Sequence, residues 1–440
     1  MKEMQRESAA GYENEDISAR KIRSGQSFLY RKNGYDSTVL DIRMKDEISS
    51  GCLDAALRKT ALRFPYLTDK LAEKQGNYYL LPDDIPLRAA SSQKFRPLGS
   101  TETGYHLIDV TYTENSIRVA FHHALCDGRG IKPFVETLVY YYCSIKYKKT
   151  FSAEGIRTAA ERPDDTETAE PFGTELFAVD KSKIAVVDRD GFALPESTSA
   201  AAHCFRTEIT VNQNEFVNTA KSYGATPGIL TAILISSAVY RLHPEADKSV
   251  VCSMAADLRS AAGMEHTHRN CTGSIYLPYS RGDAHAGAAE LAAAYRKLLS
   301  EQRTEDSLKK LMNKQIMLFN RADSFKTVEG KRGLFAFLDN LCINTYVVSY
   351  LGKMNFNDFE NYIDSVHLYS GQIKGLSVNM VAAGNKIAFD FLQGFESNIY
   401  VEAFIAELAR YGIDCSATDT FSFTTGRDMS YITAGCREEQ

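Results

Sequence analysis

Between Ser116 and Tyr142 the hydrophobic rhythm of the chain switches, and the switch dictates a local fold. Ser116-Ile117-Arg118-Val119-Ala120-Phe121 alternates apolar and other side chains, the period of a half-buried strand. Beyond Gly128-Arg129-Gly130, the residues Ile131, Phe134, Val135, Leu138, Tyr141 and Tyr142 recur at helical spacing. Pro133 is expected near the first turn, where a missing N–H costs little. The connection is His122-His123-Ala124-Leu125-Cys126-Asp127-Gly128. Two adjacent histidines thus leave a strand end, pass a tight turn and meet a helix, a place where rigid scaffolds present chemistry.

The two histidines cannot do the same work, because neighbours in extended backbone point to opposite faces. The strand phase puts His123 with Ile117, Val119 and Phe121, and His122 on the other side. A neutral imidazole in a water-poor channel can take a proton from a hydroxyl or amine. Asp127 could orient a histidine, or pair with an arginine and hold the turn. Gly128 and its neighbouring glycine permit backbone angles other residues resist. A metal is not expected, since adjacent residues rarely chelate one ion and no nearby Cys/His/Asp spacing completes a site.

Bulk properties narrow the classes. The 440 residues suffice for two or three domains. A 44% hydrophobic and 24% charged composition is that of an ordinary soluble globular protein. A net charge of −5 gives no reason to expect nucleic acid or an anionic membrane as the partner. No apolar run reaches the ~20 residues of a membrane span, and the polar N-terminus lacks a signal-peptide core. Nine scattered cysteines without a CxxC suit reduced thiols and a cytoplasmic setting.

His122-His123-Ala124-Leu125-Cys126-Asp127-Gly128 resembles the HHxxxDG signature of the chloramphenicol acetyltransferase-like superfamily. That group includes condensation domains of nonribosomal peptide synthetases, plant BAHD enzymes, polyketide-associated acyltransferases and bacterial alcohol acetyltransferases. The middle positions of the signature vary there, so Cys126 reads as a packing residue. Other segments resemble the same group. Phe64-Pro65-Tyr66-Leu67 follows the first long helix. Asp257-Leu258-Arg259 precedes Asn270-Cys271-Thr272-Gly273. Ser349-Tyr350-Leu351-Gly352 follows a strand beginning at Asn344. Departures exist: the Asn-Asp of a buried helix is missing, Tyr350 replaces an asparagine, and the BAHD "DFGWG" is absent from a chain with no tryptophan.

Read in order, residues 1 to about 25 are polar and expected to be poorly ordered unless docked. Strands are expected at Thr38–Met44, Asn77–Leu81, Tyr105–Thr113, Cys204–Val211, Ser249–Met254, Leu376–Val381 and Lys386–Phe391, the last two as a hairpin. Helices are expected from Leu53 to Phe64, after Thr226, from Ala286 to Arg303, from Leu308 to Ala322 and from Val401 to Tyr411. The acidic, proline-punctuated stretch between Ala159 and Pro171 reads as a solvated connector. His266 and His268 read as exposed loop residues. The expected organisation is an N-terminal lobe at 1–150, a crossover at 151–202 and a C-terminal lobe at 203–440.

The resemblance implies an α/β fold of two such lobes, each a mixed β-sheet flanked by helices, with a substrate tunnel between them. It further implies an acyltransferase, alcohol acetyltransferase-like, in which His123 acts as general base on a hydroxyl or amine that attacks a thioester directly. Asp127 and His122 would complete the catalytic set with His123, His122 and Gly128 would shape the turn, Arg259 would pair with Asp127, and Ser349 or Asn344 would face a developing oxyanion. No permanently bound cofactor is expected. The co-substrate would be acyl-CoA, or an acyl-phosphopantetheine on an acyl carrier protein as in condensation domains. A monomer meeting small-molecule donor and acceptor would suffice. A binding module that keeps the fold without the chemistry is the reading from another class.

Overall fold

The structure, a computed structural model, describes residues 19–31, 37–198, 204–338, 344–371 and 375–423. Two large sheets organise it. The first has five strands in the order Ile363–Ser370, Thr38–Met44, Ser116–Phe121, Ile108–Tyr112, Ala90–Ser91. The second runs Thr272–Tyr279, Val250–Asp257, Tyr346–Lys353, Leu376–Ala383, Lys386–Gln393, Cys204–Asn212, Cys415–Ala417, with Phe421–Phe423 also on Cys204–Asn212. A small third sheet pairs Asn77–Leu81 with Lys70–Lys74 and with Arg20–Lys21. The polar N-terminal stretch is therefore docked from residue 19 onward; residues 1–18 lie outside the described residues.

Most expected elements stand where the sequence puts them. Ser116–Phe121 is the central strand of the first sheet, and Ile117, Val119 and Phe121 are fully buried. Helix Ser50–Arg63 packs on helix Gly128–Tyr147 against that sheet. In the second lobe, helix Pro227–Leu242 is buried nearly all round, as its apolar sequence requires. The Thr226 hydroxyl accepts from the Ile229 N–H and starts this helix. The hairpin Leu376–Ala383/Lys386–Gln393 turns on Gly384 and Asn385, both at φ of 60°. Among the described residues no single helix is long and apolar enough to cross a membrane.

Four expectations change. Ile363–Ser370 was not anticipated as a strand, and it pairs antiparallel with Thr38–Met44, so the sheets do not divide at a single point of the chain. Helix Gly128–Tyr147 begins directly after Asp127, which places Pro133 within the helix rather than in its first turn. The connector is not wholly solvated: Glu167 is buried and accepts from both Arg63 guanidinium nitrogens, at 2.9 and 2.6 Å, and from the Tyr66 hydroxyl at 2.5 Å. His268 is also buried rather than exposed, stacked on Tyr66 with its Nδ1 2.6 Å from the Glu167 carbonyl; His266 is exposed as expected.

Where the two sheets face each other, a charged cluster is sealed from water. Asp390, fully buried, accepts from Arg206 at 2.6 Å and from the Leu368 N–H at 2.9 Å, and lies 3.1 Å from His367 Nδ1. Glu208 accepts from Arg43 at 2.6 Å. Glu208, His367 and Asp390 bring their ligand atoms within 4.8 Å of one another. Both carboxylates are already engaged by arginines, so this group reads as an inter-sheet ion network.

Candidate active site: a histidine between two arms of a tunnel

The turn after Phe121 is built by its own side chains. The His122 Nδ1 accepts the Ala124 N–H at 3.0 Å, and the His122 carbonyl accepts from the Leu125 N–H at 2.9 Å. The ring is fully buried, and burial, then the neighbouring His123, pushes its pKa down to about 3. His122 is thus a neutral structural acceptor that folds the turn.

Asp127 ends the turn and serves as the N-cap of helix Gly128–Tyr147, its Oδ1 accepting the Gly130 N–H at 2.8 Å. The same oxygen accepts from Arg259 Nη2 at 2.8 Å. Its Oδ2 accepts from the Cys271 N–H at 2.9 Å and from the Thr272 hydroxyl at 3.2 Å. Of the two sequence-stated options, Asp127 takes the arginine. The contact is single rather than bidentate, because Arg259 also donates to Asp257 (2.9 Å) and to the carbonyls of Thr267 and Arg269 (2.9 Å each). Asp127 and Arg259 are both buried, so this junction fastens the turn to the far lobe.

The glycines of the turn are needed for space rather than for unusual angles. Neither Gly128 nor Gly130 has a positive φ. A Cβ on Gly130 would collide with the His268 carbonyl, and one on Gly128 would come to 3.2 Å from Leu351 Cδ1. The true left-handed glycine of the site is Gly25 (φ 70°), where a Cβ would collide with the His123 carbonyl.

His123 sits where two cavities meet. One, about 770 Å³, is lined by Asp127, Arg129, Lys132, Arg259, His266, Tyr350 and Leu351 among others. The other, about 500 Å³, is lined by Phe28, Arg31, Asn270, Tyr276, Lys314 and Asn379 among others. Five residues line both: His123, Gly128, Thr272, Ser349 and Leu368. The His123 ring stacks on Phe28 (centroids 4.6 Å apart, 24° between planes) and meets Phe121 edge-on at 5.8 Å. Its Nδ1 has no hydrogen-bond partner among the described residues. Its carbonyl accepts from Asn270 Nδ2 at 3.3 Å. Burial pushes its pKa down to about 4, against a smaller upward pull from Asp127, so the imidazole is neutral at pH 7 and able to accept a proton.

Ser349 faces both arms. Asn344 does not line either; its amide donates to the Tyr346 carbonyl at 3.4 Å, beside Gly191, and it precedes the strand Tyr346–Lys353 that carries Ser349. Cys126 is fully buried, and burial drives its thiol well above the usual range, which leaves it a packing residue. Sequence reasoning missed Phe28 and the amide of Asn270. The five-residue helix Gln26–Tyr30 is too short to show a period, while Asn270 lay in a segment already marked by its resemblance.

No family model matches the chain, and no curated protein matches it in sequence. Solved structures do match. Polyketide synthase associated protein 5 from Mycobacterium tuberculosis superposes with a TM-score of 0.60 at 12% identity, over 89% of this chain and 98% of that one. The first condensation domain of the CDA synthetase gives 0.59 at 15% identity, over 92% and 99%. TRI101 of F. sporotrichioides, solved with coenzyme A and T-2, gives 0.57 at 11% identity, over 90% and 98%. Two sheets meeting at a tunnel, with matches that run nearly end to end, identify the architecture: this chain shares the two-lobed fold of these three proteins.

Proposed function

We propose that the protein transfers an acyl group from a thioester to a hydroxyl or amine acceptor, with His123 as general base. The observation that carries this reading is the place of His123: a neutral imidazole at the junction of two arms, one able to admit a donor and the other an acceptor. His123 would take the acceptor's proton as its oxygen or nitrogen attacks the thioester carbonyl. The tetrahedral intermediate would collapse by breaking the C–S bond, and the proton would go to the departing thiolate. Ser349, reachable from both arms, is the candidate donor to the developing oxyanion. His122, Asp127, Gly128 and Arg259 then act as positioning residues.

The likeness to TRI101, solved with coenzyme A, supports acyl-CoA as donor. The likeness to condensation domains supports the second reading, a donor held on a carrier protein. The test is thiol release from a panel of acyl-CoAs with pooled alcohols and amines. General-base catalysis is worth about 10²–10⁴-fold, so His123→Ala should lose transfer by that factor while remaining folded. Wild-type turnover in that variant would sink the mechanism. Silence of the wild type with every free acyl-CoA, followed by turnover with acyl-carrier protein, would favour the second donor.

A further inference from the structure

The two arms differ in charge. In the larger arm each cation has an acidic partner: Arg129 with Asp257, Arg259 with Asp127, Lys132 with Glu136 at 3.8 Å, and Arg157 with Glu167 at 3.4 Å. In the smaller arm Arg31, Arg189 and Lys314 contribute to the wall, and among the described residues no aspartate or glutamate does. Arg189 and Lys314 have no carboxylate within 4.0 Å among the described residues. Arg189 is held over the Tyr276 ring at 4.8 Å, a contact that fixes the guanidinium without neutralising it. Lys314, exposed at the rim on helix Glu305–Asp323, has its pKa lowered by partial desolvation and then by Arg189 and Lys310. Like charges are thus gathered at one tunnel mouth in a chain whose net charge is −5. The same wall also carries aromatic rings (Phe28, Phe121, Phe335) and neutral polar groups (Ser274, Ser377, Asn379).

Resting on the acyl-transfer reading, we infer that the substrate entering the smaller arm carries an anionic group, a phosphate or a carboxylate, which Arg189 and Lys314 bind. Repelling cations at a partly desolvated rim are unfavourable in the empty site and are relieved by an anion. That anion has two possible sources: the phosphates of the thioester's coenzyme, or an acidic group on the acceptor. The larger arm, with its charges internally paired, would take the other, uncharged end of the reaction.

The test measures binding rather than turnover, so it is independent of whether transfer occurs. Calorimetry at low salt would use His123→Ala protein, with and without Arg189→Gln and Lys314→Gln together. The probes are coenzyme A against pantetheine, which lacks the phosphates, and 3-hydroxydecanoate against its methyl ester. Loss of two charge-assisted contacts at a half-exposed rim should weaken the anionic probe by about tenfold and leave its neutral counterpart unmoved. A change confined to coenzyme A assigns the site to donor phosphate; one confined to the hydroxy acid assigns it to an acidic acceptor. The inference is overturned if both anionic probes bind the double variant as they bind the parent, if neutral probes weaken equally, or if neither anion outbinds its neutral partner in the parent. Failure of the acyl-transfer reading shows separately, in the thiol-release assay.

Discussion

Replacing Asp127 by asparagine should cost stability more directly than chemistry. The side chain keeps its shape, and its amide oxygen can still accept the Gly130 N–H, so the helix cap survives. What disappears is the carboxylate beside buried Arg259. Removing one partner of a buried ion pair costs about 3–5 kcal/mol. Arg259 would retain Asp257 at 2.9 Å and two backbone carbonyls, which places Asp127→Asn near the lower end, about 3 kcal/mol. The new amide nitrogen would also face two donors, the Cys271 N–H and the Thr272 hydroxyl. With a urea slope of about 3 kcal/mol/M, the unfolding midpoint should fall by about 1 M. Equilibrium urea titration followed by circular dichroism measures it. The reasoning is refuted if the midpoint is unmoved while transfer collapses, since that pattern belongs to a carboxylate that orients the base.

Three further outcomes are expected. His123 is held near pKa 4 and is active when neutral, so the transfer rate should rise with pH through about 4 and be flat from about 5 to 8; an acidic limb centred near 6.5, read from kcat/KM against pH, would contradict its enclosure. Burial alone would raise the Asp390 carboxyl, but Arg206 and His367 outweigh it and bring it down to about 2; the stability it contributes, about 2 kcal/mol, should be full above the unfolded carboxylate range and lost as pH falls from about 4 through 2, and Asp390→Asn should flatten that decline in urea midpoints at pH 7, 4 and 3. Gly130→Ala should destabilise by about 1–3 kcal/mol, because the added methyl meets a backbone carbonyl that cannot rotate away; an unchanged melting temperature would argue against so tight an approach.

The parts of this molecule that announce themselves in sequence are those governed by neighbouring residues. The alternation of Ile117, Val119 and Phe121, the apolar helix after Thr226 and the hairpin around Gly384-Asn385 are set by local period and turn chemistry, and they stand as the pattern requires. The pairing of Asp127 with Arg259 was legible only through resemblance, since 132 positions separate them. What escaped the sequence is decided at long range. Ile363–Ser370 mixes polar and apolar residues without a clean period, because one face packs in the core and His367 turns toward Asp390. Phe28 reaches His123 from an element of five residues. Asn344 and Ser349 looked equivalent on one strand, yet only three-dimensional placement puts Ser349 alone in the tunnel wall.

The antiparallel match of Ile363–Ser370 to Thr38–Met44 carries a consequence for how the chain is made. On the ribosome, Thr38–Met44 emerges about 320 residues before its outer neighbour exists. At about 5–20 residues per second, its backbone amides and carbonyls on that side would wait roughly 15–60 s for a partner. A bare strand border of that duration invites pairing with other nascent chains. The first sheet can be completed only after Ile363–Ser370 has been made, so closure of that border is gated by synthesis of a strand far downstream, and a truncated chain ending before Ile363 would leave it permanently open.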